Sequence, residues 1–361
     1  MAAASQNRVL LLTPAFSGAD GISLVSRLIA GAVAPDHALE VWSLGDAEGA
    51  LQPGWRGASG SKLRFCGWAL EESLHSLRGA TVIVLHLNVA PVALSLAERG
   101  ARVVVFLHGV ECWRPLTRLQ KAALRKASLL MSNSEYTAQR FKLANPEFAT
   151  SSLAVCHPGI PDLAFPPASV PAARPDALIV GRMVAEERYK GHDQLLELWP
   201  KLLLDVPAAR LLAVGDGDDR QRLQEKARAL GLGEAVCFLG KVPDEELLRL
   251  YSECACFVMP SRGEGFGLVF LEAMRAGKPC ILGPGASAEI VEDGASGFIT
   301  DPSDSERLLA CLRRLFTDAA LRAAMGAAAR AEFLRRFTDS HFRQRCRAAL
   351  GIDAKGALCA G

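Results

Sequence analysis

The chain has 361 residues, half of them hydrophobic and 22% charged, with a formal net charge of +2. This balance excludes a disordered or collagen-like chain and a nucleic-acid coat, so we expect a globular protein with no nucleic-acid partner. The length suffices for two domains that each bury a core.

The N-terminal segment predicts a cytoplasmic protein. It carries one early arginine, Arg8, and the apolar run VLLL, which is too short for a signal peptide or a membrane span. We therefore expect this run to be a buried first strand. The ten cysteines show no paired CxxC motif, and buried, reduced thiols are expected, among them Cys66, Cys156, Cys237 and Cys280.

Short apolar runs alternate with longer amphipathic segments, which is the pattern of βαβ units and parallel sheets. The predicted strands are, in chain order, RVLLLTP, TVIVLHL, RVVVFLHG, SLLMSNS, ALIVGR, RLLAVGDG, AVCFLG, ACFVMPS and KPCILG. Helices such as PVALSLAERG, DQLLELWPKLL and DRQRLQEKARALGL separate them. The pattern predicts an α/β fold of two Rossmann-like, doubly wound domains that face each other across a cleft.

Composition also suggests the limits of the domains. The segment 165–177 is rich in proline and alanine and is predicted to be a linker. We expect a first domain over residues 1–168 and a second over residues 169–335. The tail, about residues 321–350, has a strongly helical pattern, and residues 336–361 are predicted to cross back to the first domain.

The segment RGEGFGLVFLEAM, residues 262–274, carries the most specific motif. It places Glu264 in a glycine turn after a predicted strand and Glu272 in the following helix, which Gly277 is expected to end. A helix N-terminus reached through glycines attracts phosphate, and carboxylates accept hydrogen bonds from vicinal hydroxyls. Either glutamate alone could merely favour the helix dipole. Together they predict a nucleotide-sugar site.

Two basic residues are expected to offset the repulsion between these carboxylates and a diphosphate. Arg182 follows the strand ALIVGR, and Lys190 precedes the next helix, so both should lie at the same end of the sheet. Arg can grip phosphate oxygens with two hydrogen bonds, and Lys acts as a point charge. Each residue alone would be more typical of a charged surface.

Several blocks of the second half resemble, in the right order, the family 4 (group 1) retaining glycosyltransferases of the GT-B fold: GRMVAEERYKGHDQLL, LLAVGDGDDRQRLQ, VCFLGKVPDEELLRLYSECACFVMPSRGEGFGLVFLEAMRAGKPCI and EIVEDGASGFITDP. The resemblance implies that Arg182 and Lys190 hold the donor diphosphate, that Glu264 contacts the transferred sugar and that Glu272 holds the ribose. It also implies donor contacts from the backbone of the glycine turn and from residues beside the base, namely Gly265, Phe266, Gly267, Leu268, Lys241 and Val242.

The same resemblance makes residues 1–168 the acceptor-binding domain and residues 169–335 the domain that binds the nucleotide sugar. FLHGVECW is similar to the acceptor-side motif, with His108 near the anomeric carbon, although a single His at a strand end is more often structural. SGADGIS resembles the glycine loop over the phosphates, and Gly21 is the expected contact. In this loop Gly18 and Gly21 are separated by two residues, where adjacent glycines are commoner.

The segment RPLTRLQKAALRKASLL predicts a helix with a basic stripe on one face, formed by Arg114, Arg118, Lys121 and Arg125. A second face is expected to carry Leu116, Leu119, Ala123 and Leu124. The stripe could contact anionic headgroups, which would place the protein peripherally on the inner face of a membrane. It could equally be the solvated back of a Rossmann helix.

These observations predict a retaining hexosyltransferase that needs no metal or other cofactor, with His108, Arg182, Lys190 and Glu264 as catalytic residues. The acceptor would be a glycan or a lipid-linked glycan, in polysaccharide or glycolipid assembly. A binding module without turnover, or a non-hydrolysing epimerase or phosphorylase of the same fold, remains open. VGDGDD lacks the third glycine of a dinucleotide fingerprint, and turn and N-cap roles explain its acidic residues better than a metal does.

Overall fold

The computed structural model describes residues 8–164 and 175–352. Within these residues the chain forms two compact units, one of residues 8–158 with 339–352 and one of residues 159–164 with 175–338. The predicted limit between residues 168 and 169 and most of the predicted linker lie outside the described residues.

The first unit is built on a seven-stranded parallel sheet. Its strands are β1 (Arg8–Thr13), β2 (Ala38–Ser43), β3 (Arg56–Gly57), β4 (Thr81–Val84), β5 (Arg102–Leu107), β6 (Leu129–Ser132) and β7 (Leu153–Val155). They lie in the order β3-β2-β1-β4-β5-β6-β7. The order reverses between β1 and β4, and at such a switch point the carboxyl ends of the strands leave a crevice for ligands.

Six helices belong to this unit: α1 (Gly21–Val33), α2 (Lys62–Glu72), α3 (Ala93–Glu98), α4 (Arg118–Lys126), α5 (Glu135–Ala144) and α12 (Asp339–Leu350). Helix α12 packs on α1, where the Arg347 guanidinium donates to the carbonyl of Ala32 at 3.0 Å and pairs with Asp36. Arg102 of β5 donates to the carbonyl of Leu350 at 2.7 Å. These contacts attach the end of the described chain to the first unit.

The second unit contains a six-stranded parallel sheet of the same design. Its strands are β8 (Asp176–Val180), β9 (Arg210–Val214), β10 (Val236–Gly240), β11 (Cys256–Met259), β12 (Cys280–Leu282) and β13 (Gly297–Ile299), in the order β10-β9-β8-β11-β12-β13. Its helices are α6 (His192–Asp205), α7 (Arg220–Ala229), α8 (Asp244–Glu253), α9 (Leu268–Arg275), α10 (Ser305–Thr317) and α11 (Ala319–Arg336). Here the switch point lies between β8 and β11.

All nine strands predicted from the sequence are present. Eight of them lie inside the two sheets, where strands covered on both faces read as continuous apolar runs, and the ninth, β10, is an edge strand. Both β4 and β11 are buried along their whole length. Four strands were missed. Strands β3, β7 and β13 are edge strands of two or three residues, and β2 includes the charged Glu40.

Two expectations about single elements were wrong. Helix α4 begins only at Arg118, because Thr117 caps it in a capping box with Gln120, so Arg114 lies outside the helix. The thiol of Cys66 is exposed rather than buried, since it lies on the outward face of α2. Every cysteine in the described residues is a free thiol, and Cys156 and Cys280 are buried as expected.

Gly283, which follows β12, supports a prediction about packing. A Cβ atom at this position would lie 1.8 Å from the carbonyl oxygen of Ser261. We expect Gly283→Ala to lower the free energy of unfolding of the second unit by about 3 kcal/mol, because backbone must move to relieve the overlap. Urea unfolding followed by circular dichroism measures the change.

Gly67→Ala is the control for that substitution. Gly67 lies inside α2, and a Cβ atom there meets nothing within 4 Å. Alanine should stabilise the helix by roughly 0.5–1 kcal/mol. Equal stability changes for the two variants would contradict the packing argument.

Candidate active site

The switch point of the second unit brings together the cationic and acidic residues predicted from the sequence. Arg182 follows β8, and Lys190 ends a short helical turn, Ala185–Lys190, that precedes α6. The Lys190 ammonium lies 3.8 Å from a carboxylate oxygen of Glu264, which follows the neighbouring strand β11. The Lys190 side chain is 13% exposed. The expectation that Lys190 and Glu264 share one end of the sheet is therefore confirmed.

A second acidic residue, Glu187, joins this group and was missed in the sequence. One of its carboxylate oxygens pairs with the guanidinium of Arg182, and the other lies 3.3 Å from the Lys190 ammonium. Glu187 lies in the charged run AEERYK, which is typical of a solvated turn. The sequence contained one indication of this contact: Glu187 lies three residues before Lys190, a spacing that brings two side chains together on a helical turn.

The glycine turn after β11 is fixed by two side chains. Ser261 accepts a hydrogen bond from the backbone N–H of Gly263 at 3.2 Å, and its hydroxyl lies 3.4 Å from Glu264. The ring of Tyr189 covers Gly263 so closely that a Cβ atom there would lie 2.7 Å from the ring. Burial raises the pKa of the Tyr189 phenol. Tyr189 was also missed in the sequence, and its packing explains why the turn needs glycine.

Helix α9 begins at Leu268 and ends before Gly277, as the motif predicted. The residue before it, Gly267, has a φ of +93°, and a Cβ atom there would lie 2.5 Å from the Phe270 ring. No side chain of the described residues caps this helix. The Phe270 N–H donates to the carbonyl of Gly267 at 3.0 Å, so the N–H groups of Leu268 and Val269 and the helix dipole are those available to an anion.

Gly265 and Phe266 complete the turn between Glu264 and Gly267. The Phe266 ring is buried and packs on Phe337 with the ring centroids 5.9 Å apart. A donor contact at Phe266 would therefore involve its backbone. Lys241 and Val242 directly follow β10, at the edge of the sheet, and Lys241 is exposed. The roles of these residues toward a donor stay predictions.

Glu272 is the fifth residue of α9 and lies beside α8. The hydroxyl of the buried Tyr251 donates a hydrogen bond to its carboxylate at 2.7 Å. Burial raises the pKa of Glu272, against the opposing effects of the Tyr251 hydrogen bond and the Arg275 charge. The site thus keeps one carboxylate in a desolvated position, where a hydrogen-bond donor from a ligand would be worth most.

The VGDGDD segment has a structural explanation. Cβ atoms at Gly215 and Gly217 would lie 1.9 and 2.2 Å from the carbonyl oxygens of Gly181 and Met183, so both glycines allow close backbone packing. Asp218 accepts the Ala185 N–H at 3.0 Å, as a turn residue would.

The carboxylate of Asp219 makes no cap bond, contrary to the N-cap expectation, and pairs instead with Arg188 and Arg222. Across residues 8–164 and 175–352 no three His, Cys, Asp or Glu side chains are grouped so as to hold a metal ion.

In the first unit His108 follows β5 and is tightly held. Its backbone N–H donates to Glu111 at 2.6 Å. Nε2 is buried and has no hydrogen-bond partner among the described residues. Burial lowers the pKa of His108 to about 4, so the ring is neutral at pH 7.

Two neighbours of His108 were missed in the sequence. His86 follows β4, the strand next to β5, and its Nδ1 accepts the backbone N–H of Asn88 at 3.0 Å. Burial lowers the pKa of His86, and the Glu111 carboxylate acts in the opposite direction on both imidazoles. A polar group of two histidines and one carboxylate thus lies at the carboxyl end of the first sheet.

The glycine loop of the first unit contains a negatively charged side chain, Asp20. The carboxylate of Asp20 caps α1 by accepting the N–H groups of Ile22 and Ser23 at 2.9 and 3.0 Å. Gly21 is the first residue of that helix, and a Cβ atom at Gly18 would lie 2.7 Å from Asp20. The predicted phosphate contact at Gly21 would therefore form beside a negative charge, and it stays a prediction.

The basic stripe is shorter than expected. On α4 it comprises Arg118, Lys121 and Arg125, and Lys121 pairs with Glu147 at 2.7 Å. Leu119 is 62% exposed rather than packed. Contact with a membrane surface stays a prediction. No helix in the described part of the chain is both long and apolar enough to span a bilayer.

Glu272→Gln tests the buried carboxylate. The pKa of Glu272 is raised in the folded state, so the ionised group costs stability at neutral pH, and this cost disappears as the pH falls through the folded pKa. Glutamine keeps an acceptor for Tyr251 and should raise the urea midpoint of the second unit at pH 7.5, with a smaller gain near pH 4.5. Hydrogen exchange of peptides from β11, followed as the urea concentration rises, measures this midpoint. An unchanged or lower midpoint at pH 7.5 would contradict a desolvated, ionised carboxylate at Glu272.

His108→Asn tests the buried imidazole. With a folded pKa of about 4 against about 6.5 in the unfolded chain, the unfolded state binds more protons, so wild-type stability falls as the pH drops from 6.5 to 4. Between pH 7.5 and pH 5 the free energy of unfolding of the variant should therefore fall by about 2 kcal/mol less than that of the wild type.

Tryptophan fluorescence reports mainly this unit, which contains Trp42, Trp55, Trp68 and Trp113, whereas the second unit contains Trp199. The exposed His75 provides the control variant His75→Asn. Equal pH dependence in the His108 variant and the wild type would contradict a neutral, buried His108.

The family of the chain follows from comparison with known proteins. Residues 165–332 match the family described as glycosyl transferases group 1. A GDP-mannose-dependent alpha-(1-6)-phosphatidylinositol monomannoside mannosyltransferase of Mycolicibacterium smegmatis is 33% identical over 268 residues, which are 67% of this chain and 69% of that protein. A GDP-mannose-dependent monoacylated alpha-(1-6)-phosphatidylinositol monomannoside mannosyltransferase of Corynebacterium glutamicum is 30% identical over 272 residues, which are 67% of this chain and 69% of that protein.

Solved structures agree in fold. The Anabaena protein HepE in complex with UDP covers 95% of this chain and 99% of its own, with a TM-score of 0.77 and 20% identity. Sucrose-phosphate synthase of Thermosynechococcus elongatus covers 94% and 97%, with a TM-score of 0.78 and 20% identity. The fold is therefore GT-B, with two Rossmann-like units, and the chain belongs to the group 1 glycosyl transferases.

Proposed function

We propose that this glycosyltransferase moves a hexosyl unit from a nucleoside-diphosphate sugar to an acceptor hydroxyl, with retention at the anomeric carbon. The observation that carries the proposal is the group formed by Arg182, Lys190 and Glu264 beside the uncapped start of α9. Two cations and a helix N-terminus favour a diphosphate, and the carboxylate beside them can accept hydrogen bonds from sugar hydroxyls.

The same group suits the chemical step. Breaking the bond between the anomeric carbon and the donor oxygen leaves negative charge on the β-phosphate. Arg182, Lys190 and the α9 dipole would stabilise that charge as it develops, so their effect is largest in the transition state. The departing phosphate takes the proton of the acceptor hydroxyl. Because side chains supply the positive charge, we propose that the reaction needs no divalent cation.

His108 would act as a hydrogen-bond acceptor. The ring is neutral at pH 7, and its Nε2 has no hydrogen-bond partner among the described residues. In the tautomer with the proton on Nδ1, Nε2 would accept a hydrogen bond from a hydroxyl of the sugar or the acceptor and orient that group. The buried His108 is a weak base, so orientation rather than general base catalysis is the role that its low pKa supports.

GDP-mannose is the first donor to test, because the mycobacterial and corynebacterial relatives are named for it. Glu272 would hold the ribose, and Lys241 with Val242 would border the base. The same relatives act on phosphatidylinositol mannosides, so we propose a lipid-linked glycan as acceptor. Arg118, Lys121 and Arg125 on α4 would then face anionic headgroups in a peripheral, cytoplasmic-side association.

Lys190→Met and Arg182→Gln test the proposed site. Each removes one positive charge next to the departing phosphate, and we expect kcat/KM for mannosyl transfer from GDP-mannose to fall about 100-fold or more, mostly in kcat. Arg228→Gln, at an exposed position of α7, is the control for loss of an arginine charge and should stay within about twofold.

Release of nucleoside diphosphate from GDP-, UDP- and ADP-sugars, with a phosphatidylinositol mannoside as acceptor, provides the assay. EDTA should leave the rate unchanged, and NMR of the product should show the anomeric configuration of the donor. Nucleotide binding without release in any form would indicate a binding module, and loss of activity with EDTA would overturn the metal-independent step.

A further inference from the structure

The group at the end of β8 contains one acid more than the proposed chemistry needs. Arg182 and Lys190 would hold the diphosphate and Glu264 the sugar, whereas Glu187 contacts both cations. A carboxylate in contact with two phosphate-binding cations opposes the binding of phosphate. Its presence therefore calls for a functional explanation.

The burial of these side chains indicates which partner stays in place. The side chain of Glu187 is 12% exposed, that of Lys190 13%, and that of Arg182 69%. Glu187 lies at the inner end of the group, and the carboxylate oxygen that lies 3.3 Å from the Lys190 ammonium is fully buried. Arg182 covers it from the solvent side and can turn toward a ligand at little cost, because an exposed ion pair is weak.

We propose that Glu187 is a fixed counter-anion that positions Lys190 and Arg182 and limits the affinity of the site for the released nucleoside diphosphate. The charges of the two cations and of the carboxylates of Glu187 and Glu264 cancel, so these four side chains together carry no net charge. After sugar transfer the departing phosphate carries the proton of the acceptor hydroxyl, and once this proton passes to solvent the diphosphate has one more negative charge than it had in the donor. The repulsion from Glu187 then acts most strongly on the product and speeds its release.

This inference rests on the proposed function, and Glu187→Gln tests it. Glutamine keeps the shape of the side chain and an acceptor for Lys190 but removes the charge. We expect the Kd for GDP, or for the nucleoside diphosphate that the wild type prefers, to fall about tenfold in isothermal titration calorimetry. The wild-type Kd divided by the variant Kd should become smaller at high salt, because salt screens the charge of Glu187. The free nucleoside, which has no phosphate, should bind both proteins equally.

Two variants separate charge from structure. Glu186→Gln removes the neighbouring, exposed acid of the same helical turn and should change the Kd less than twofold. Glu187→Asp keeps the charge and should bind the diphosphate within about threefold of the wild type. If Glu187→Gln does not fold, Glu187→Ser removes the same charge and should tighten binding in the same way.

The outcomes distinguish a failure of the proposed function from a failure of the inference about Glu187. If the wild type binds no nucleoside diphosphate, the proposed function fails. If the wild type binds one and the Gln or Ser variant binds it equally or more weakly, Glu187 is only structural and the inference is overturned. An equal gain in Glu186→Gln or Glu187→Asp would also overturn it, because the effect would not come from the charge at this position. Stopped-flow release of a fluorescent nucleoside diphosphate should be correspondingly slower from Glu187→Gln.

Discussion

The ammonium group of Lys190 links two loops that are far apart in the sequence. It lies between the carboxylates of Glu187 and Glu264, 3.3 and 3.8 Å away. The contact is possible because β8 and β11 are neighbours at the point where the strand order reverses. A charged group that is 13% exposed needs such partners, and these partners in turn place the glycine turn and the start of α9 beside the two cations.

The polar groups of the two units differ in character. In the second unit the cations are exposed or close to the surface, and the helix N-terminus beside them has no side-chain cap among the described residues. In the first unit the carboxylate of Asp20 caps α1, and the imidazole of His108 is neutral, with its Nε2 unpaired among the described residues. The second unit is thus suited to bind an anion, whereas the first is suited to receive hydrogen bonds from hydroxyl groups.

Much of this arrangement could be predicted from the sequence, for a physical reason. Parallel strands covered by helices on both faces appear as continuous apolar runs, and residues that follow neighbouring strands lie at one edge of the sheet. The proximity of Lys190 to Glu264 follows from those two facts. The start of α9 and its end before Gly277 follow from local backbone chemistry, since glycine alone accepts a φ of +93° beside the Phe270 ring without strain.

The remaining features depend on distances that no local pattern contains. In the sequence Glu187 looks like a charged surface residue and Tyr189 like an ordinary turn residue. His86 looks like a residue at the end of a strand. The hydrogen bond between Tyr251 and Glu272 depends on how α8 packs against α9, and the cap at Thr117 excluded Arg114 from a helix that periodicity alone had extended. Short edge strands were missed because two or three residues carry too little periodicity to be recognised.

A crystal structure of the protein with a bound nucleoside diphosphate tests the central claim most directly. We expect the terminal phosphate to lie within about 3 Å of the side chains of Arg182 and Lys190 and of an N–H group in the first turn of α9, with Glu187 still in contact with Lys190. A diphosphate bound elsewhere, with Lys190 enclosed by its two carboxylates as before, would contradict it.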